Sequence, residues 1–329
     1  MRDERLPLRL MAILALAVVL ALLMPSLATA TQCMVMAIAA LGGTFLLGKV
    51  GLLSFAQAAF FGAGSYAAGL AGLHLNAGAL GMLAAGVAVA TLTGLLVGCI
   101  ATRRRGVYFI MMTLALGQLA FFIAYAWADV TGGDNGLGSV PRPPLALGGH
   151  SLLTLDSPPA FYAFSVACLV LTYAALHGVS RSPFGSVLAA IRENEDRAIA
   201  AGYRVYWFKV VAIGISAAAT GVAGALYAMF LRFVPLSNID FNMVNHLVLV
   251  TLIGGTGSLM GGVLGAIGYE LLSNVLVGLW QRWLLLLGIA LVFIGVWMQA
   301  GLWGLVESFK RRLRGQPSIQ GGSDDRRHA

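Results

Sequence analysis

The sequence has little charge. Only 10% of its 329 residues are Asp, Glu, Lys or Arg, against about 25% in soluble domains, and this shortage excludes an ordinary water-soluble fold. Cysteine is scarce too. Cys33, Cys99 and Cys168 each sit in an apolar run, so they read as small buried hydrophobes, with neither a disulfide framework nor a metal spacing. The histidines (His74, His150, His177, His246 and His328) are scattered, without the close pairing of a zinc site. No serine has the strand-turn-helix setting of a nucleophile elbow. The expectation is a noncatalytic chain with no metal.

What the chain has is apolar length. Hydrophobic residues make up 59% of it, in runs that reach the roughly 20 residues a bilayer crossing needs. Spans are expected at 8–28, 31–48, 52–73, 78–100, 106–128, 160–179, 207–231, 243–259, 261–280 and 283–304. The expected fold is an all-α membrane protein, a polytopic bundle of about ten transmembrane segments. The transmembrane domain covers 1–314 and a polar, disordered tail 315–329. The 243–259 segment is short and Gly-rich, so a full crossing and a re-entrant element both stay open. Glycine is plentiful at 42 residues. Gly86, Ala90, Gly94 and Gly98 share one helix face, as do Gly257, Gly261 and Gly265; such stripes let backbones approach, with a path lining as the sharper alternative.

The net charge of +8 raises nucleic acid as a partner, but its distribution argues against one. Lys49, Arg103, Arg104, Arg105, the 181–204 segment and the basic residues at 310–314 fall on one side, and Arg142, Arg232 and Arg282 on the other. This is the positive-inside pattern, and it places both termini in the cytoplasm. The lipid bilayer is thus the first partner. Arg2, Arg5 and Arg9 before an apolar run, with Ala28-Thr29-Ala30 after it, also resemble a signal peptide. A retained first span is favoured because the next run follows at once.

Few motifs carry chemistry. Gly43–Val50 (GTFLLGKV) nearly matches a phosphate-binding loop, but Val50 replaces the required hydroxyl, and Lys49 reads as a membrane-edge anchor. Glu270 is the one carboxylate noted inside a span, with Asn274 one turn away; a structural hydrogen bond and an ion or substrate role are both open. Gly62-Ala-Gly64-Ser65 and Gly255-Thr-Gly257-Ser258 form a faint internal echo. Two water-exposed segments stand out: an external loop at about 129–159, and a cytoplasmic segment at about 180–206 that contains Gly185–Gly202 (GSVLAAIRENEDRAIAAG). In the latter Val187, Leu188, Ile191 and Ile199 make an apolar face, charges of both signs crowd 192–197, and Gly202 is placed to stop the helix.

Four stretches carry a family resemblance. SPFG at 182–185 followed by AIRENEDRAIAAGY at 190–203, GLLSFAQAAFFGAGSYAAGL at 51–70, TGGDNGL at 131–137 and LIGGTGSLMGGVLGA at 252–266 occur in the order seen in the permeases of branched-chain amino acid ABC transporters. The chain resembles the second of their two permease types. Ala56-Gln57 stands where Gly-His is common, and Gly262 where proline is frequent, which bears on substrate more than fold.

The resemblance implies an inner-membrane permease subunit moving leucine, isoleucine, valine or a related solute; urea, short amides and aromatic acids are the alternatives within the class. Its implied partners are a paralogous permease, two cytoplasmic ATPase subunits and a periplasmic solute-binding protein. ATP and Mg²⁺ would bind those ATPases, and this chain would hold no cofactor. Arg192, Glu193, Asn194, Glu195, Arg197 and Gly202 become the expected ATPase-coupling segment. Ser54, Gln57, Gly254, Gly255, Gly257, Ser258 and Glu270 are path candidates, since broken helices present backbone groups at mid-membrane. Asp134 and Asn135 are candidate contacts for the binding protein. An ion-coupled carrier and a noncatalytic scaffold are the competing functions.

Overall fold

A computed structural model describes residues 5–24, 26–147, 150–255, 257–279, 285–286 and 288. The helices are α1 (Arg5–Leu23), α2 (Leu27–Val50), α3 (Gln57–His74), α4 (Ala79–Ala101), α5 (Val107–Ala126), α6 (Ala128–Thr131), α7 (Pro158–Arg181), α8 (Pro183–Glu193), α9 (Glu195–Ala200), α10 (Val205–Leu231), α11 (Phe241–Gly254) and α12 (Leu259–Leu279). Seven stretches among the described residues are long and apolar enough to cross a bilayer: α2, α4, α5, α7, α10, α12 and Leu236–Gly254. The expected span at 283–304 lies almost wholly outside the described residues, as does the tail from 315. The chain is nearly, not wholly, helical: β1 (Leu145–Leu147) and β2 (His150–Leu153) pair antiparallel in the segment between α6 and α7.

Helices α2 and α10 form the centre. They pack on each other, α3 and α4 flank α10, and α11 and α12 flank α2. Two similar triplets therefore face one another, α2–α3–α4 and α10–α11–α12. Each central helix ends in a left-handed cap, Gly51 (φ 75°) for α2 and Arg232 (φ 54°) for α10, and irregular backbone follows before the next helix. The internal echo in the sequence is out of register with this repeat. Gly62–Ser65 lie inside α3, whereas Gly255 and Ser258 lie in the turn before α12.

Small residues set the closest crossings. On α4, Gly86 faces Ala225, Gly94 faces Ala217, and Gly98 faces the Val210 backbone, all on α10; a β-carbon at Gly86 would sit 2.8 Å from the Ala225 methyl. With no hydrophobic force between helices in lipid, this close van der Waals contact is what holds α4 on α10. Helix α1 is held differently. Ile13, Ala17, Leu20 and Met24 make its buried stripe, and the Tyr162 hydroxyl of α7 donates to the Ala17 carbonyl at 2.6 Å. Of the seven bilayer-length stretches α5 is the least buried, covering only Phe109, Thr113, Gly117 and Ala124 along one edge.

The expected span 52–73 begins late. Gly51 ends α2 by donating its N–H to the Leu47 carbonyl, and the chain then turns back into the bundle without helix until Gln57. Non-helical backbone inside a membrane protein needs other partners. Here the Phe55 N–H donates to Thr113 Oγ1 at 3.2 Å, and the Ala56 N–H to Ser54 Oγ at 3.3 Å. At the other end of the sequence Gly255, at φ 82°, stops α11 after 14 residues.

Candidate functional site

The charged segment forms two helices instead of the single one expected. Ser182 starts α8 with its hydroxyl accepting the Gly185 N–H, and Pro183 occupies the first turn, where its missing N–H costs nothing. Leu188 and Ile191 are buried, and Phe184 stacks on Phe208 of α10 with ring centroids 5.4 Å apart. At Asn194 the backbone becomes extended (φ −158°), and its side-chain oxygen accepts the Arg197 N–H at 2.9 Å, so it caps α9. The break follows from what Asn does best at a helix start. Gly202, at φ 88°, closes the segment as expected.

Each helix has its own charged tie to the bundle. From α8, the Arg192 guanidinium donates to the Gly48 carbonyl in the last turn of α2, where orphan carbonyls and the helix dipole favour a cation. From α9, Glu195 is held at both oxygens: Lys209 Nζ of α10 lies 2.6 Å from Oε2, and Arg105 Nε of the α4–α5 turn lies 3.1 Å from Oε1. Arg105 also reaches Asp196 Oδ1 at 2.9 Å. The Asp196 hydrogen bond, then the Glu195 charge, raise the Arg105 pKa. Lys209 is only 4% exposed, and a buried lysine requires such a carboxylate.

Among the expected coupling residues, Arg192, Glu193, Asn194 and Arg197 are exposed and Glu195 is partly covered. Ile199 and Tyr203 add exposed apolar surface beside them. Lys209 and Arg105 were missed. The signal for Lys209 was present: a lysine four residues into an apolar helix must find a carboxylate nearby.

The path candidates do not meet in one place. Gln57 is buried and spends both ends of its amide on α10: Nε2 donates to Ser216 Oγ at 2.9 Å, and Oε1 accepts from Thr220 Oγ1 at 2.8 Å. Ser216 in turn donates to the Gly42 carbonyl at 2.8 Å. Gly42 lies about 12 Å along α2 from its end at Val50, so α3 begins deep in the bundle. Ser54 is buried beside it. Gly254 packs against Gly261 and Gly265. Gly257 and Ser258 line a cavity at the α8 end of the bundle. Glu270, farther along α12, is buried. Its Oε1 lies 3.5 Å from His246 Nε2 on α11, and the His246 ring leans on Tyr269.

At the opposite end, Asp134 and Asn135 are exposed on a 3-10 turn, Gly133–Asn135. That segment is docked firmly. Leu137 and Val234 exchange backbone hydrogen bonds of 2.9 and 2.8 Å. Arg142, also missed from sequence, donates to the Met229 and Phe230 carbonyls at 3.0 and 2.6 Å and lies 4.4 Å over the Phe161 ring. Burial, then the nearby Arg232 charge, lower the Arg142 pKa. Arg232 pairs with Asp156 at 2.5 Å. Among the described residues, no three His, Cys, Asp or Glu side chains gather in a way that could hold a metal.

Residues 26–297 match the family model described as "Branched-chain amino acid transport system / permease component". Similar curated proteins include the high-affinity branched-chain amino acid transport system permease protein LivM of Salmonella typhimurium, 27% identical over 89% of this chain and 74% of the relative. LivM of Escherichia coli is 27% identical over 83% of this chain and 68% of its own. A probable LivM of Methanocaldococcus jannaschii is 24% identical over 69% and 65%. No solved structure matches significantly.

Proposed function

The chain belongs to the family of branched-chain amino acid transport system permease components, and from this premise we propose that it is the membrane-spanning subunit of an ABC importer for leucine, isoleucine and valine. It works in the inner membrane beside a paralogous permease, with α8 and α9 in the cytoplasm. The concentration of Lys and Arg at that end supports the orientation. Two ATPases supply the energy and hold ATP and Mg²⁺, and a periplasmic binding protein delivers the solute. Asp134 and Asn135 are exposed on the side where it would dock.

The observation that carries this reading is the α8–α9 pair. Glu193, Arg197, Ile199 and Tyr203 present charge and apolar surface to water, while Arg192 and Glu195 fasten the same segment to α2, α10 and the α4–α5 turn. A displacement imposed by an ATPase is then passed to the spanning helices, a switch between two packed arrangements. Glu195 transmits the motion and Glu193 and Arg197 receive it. The membrane-buried Glu270–His246 pair favours one competing reading, an ion-coupled carrier.

One experiment separates them. The chain is reconstituted in proteoliposomes with its paralogous permease, ATPases and binding protein, and uptake of labelled leucine is measured. Uptake that requires ATP and all partners is expected. Uptake driven by an ion gradient without the ATPases would establish the carrier instead.

A further inference from the structure

The outer faces of α4 and α5 are apolar. Leu92, Leu96, Met111 and Phe122 are all exposed, as suits contact with lipid. One strip of the bundle differs. Ser237 and Asn242 are exposed, and Asp240 and Asn245 are partly so. Asn242 and Asn245, three residues apart, share one face of α11. The strip runs inward from the end of the bundle opposite α8. Asn238 Nδ2 donates to Ser65 Oγ of α3 at 3.4 Å, and Gly62, nearer the start of α3, faces Ile239. Gly62 lies about 18 Å along α3 from its end at His74, and α11 runs about 21 Å from Phe241 to Gly254. Asp240 therefore stands near the middle of a hydrocarbon core about 30 Å thick.

A carboxylate at that depth belongs in a wet path or beside a cation. Among the described residues no Lys, Arg or His pairs with Asp240. Its Oδ1 accepts the Phe241 N–H at 2.6 Å, and its Oδ2 accepts from Asn242 Nδ2 at 2.7 Å. Capping α11 explains the first bond, but Asn or Ser would cap as well without a charge. A carboxylate has about four acceptor positions, so both oxygens keep room for a further donor. Beside the strip, Leu53, Phe55 and Met243 pack on Ala58, Val244 and Val248 in a small apolar cluster apart from the main core. The first three stay partly exposed. A negative charge, two amides and an apolar patch match an α-amino acid with a hydrocarbon side chain. We propose that this strip lines the solute path at mid-membrane and that the Asp240 carboxylate receives the solute's ammonium group.

The proposal rests on the importer reading and adds to it the contact that selects the solute's head group. The ammonium compensates Asp240, and the amides of Asn242 and Asn245 are donors for the solute's carboxylate. A solute of the same shape with a keto group in place of the ammonium leaves a carboxylate unpaired at low dielectric. Sites built around a polar partner reject such analogues strongly, whereas an apolar patch separates one hydrocarbon side chain from another only weakly. The strip therefore sets the class of solute, an amino acid, more sharply than the side chain.

The test uses the assembled importer. In nanodiscs, Ser237→Cys and Asn242→Cys are treated with a charged methanethiosulfonate reagent, and labelling is read peptide by peptide by mass spectrometry against Leu92→Cys and Phe122→Cys. The strip positions should label at least tenfold faster than the lipid-facing pair. In proteoliposomes, Asp240→Asn keeps the cap and removes the charge. Leucine uptake should fall at least tenfold, with the melting temperature and subunit composition unchanged. Leucine-loaded binding protein should slow the labelling of Asn242→Cys, and adding Asp240→Asn should abolish that protection. Strip labelling less than tenfold faster than the lipid-facing pair, or an uptake loss below tenfold, overturns the proposal. Loss of the paralogous permease from the Asp240→Asn complex would assign the carboxylate to the subunit contact and overturn it too. Uptake that runs on an ion gradient without the ATPases would end the importer reading, yet the labelling rates and the Asp240→Asn loss would still decide this proposal.

Discussion

Replacing Glu195 by Gln should cost more than any other single change in the α8–α9 segment. Lys209 is left 4% exposed without the carboxylate that sits 2.6 Å away. Removing one partner of a fully buried pair costs about 3–5 kcal/mol. The Glu195 side chain keeps 24% of its surface, so water already reaches the carboxylate, and about 2–3 kcal/mol is the expected loss. Lys209→Met removes the cation and leaves an apolar chain of similar length, a change expected to be near neutral. The double variant should then recover most of the stability lost by Glu195→Gln, an interaction of about 2 kcal/mol in a double-mutant cycle. Thermal unfolding of the purified chain reads the cycle, and ATP-driven leucine uptake reads coupling. Lys209→Met should remain folded yet transport less solute per ATP. Additive losses in the double variant, or a Lys209→Met protein with full coupling, would refute the idea that this pair transmits motion.

Other outcomes follow from the same geometry. Glu193→Arg with Arg197→Glu should uncouple ATP hydrolysis from uptake while leaving the melting temperature unchanged, read by paired ATPase and transport assays. Gln57→Leu should lower stability by about 1–2 kcal/mol, because two buried hydrogen bonds to α10 are lost; thermal unfolding checks it. Gly94→Leu should overpack the α4–α10 crossing by about 1–3 kcal/mol or more, seen as reduced yield of folded protein. Arg142→Ala should free the segment between α6 and α7, since the Met229 and Phe230 carbonyls lose their charged donor; limited proteolysis at 133–157 should speed up.

Much of the architecture is legible in the sequence because lipid demands long apolar helices and punishes charge. Seven of the ten expected spans, their order and the small-residue face of α4 follow from that demand. What stays hidden is where a helix begins inside the membrane. The start of α3 is set by Thr113 and Ser54 supplying partners to unwound backbone, contacts distant in sequence that no local pattern displays. The break at Asn194 was legible in principle, since Asn before Glu-Asp is a strong helix start, but the continuous apolar spacing across it suggested one helix. The sites at Glu195 and Arg142 depend on partners, Lys209 and two carbonyls of α10, that only the folded chain brings near. Composition shows that a charge must be compensated without showing by which residue.

The break at Asn194 divides the segment into two levers with different fulcrums. Helix α8 rests on α2, α7 and α10, and α9 is clasped by α10 and the turn leading to α5. A single rod pushed from below would move the whole bundle as a piston. Two rods joined by one extended residue would instead be free to tilt separately, each about its own contacts. The joint costs the chain one residue, and it gives one short charged segment two separate anchorages on the bundle.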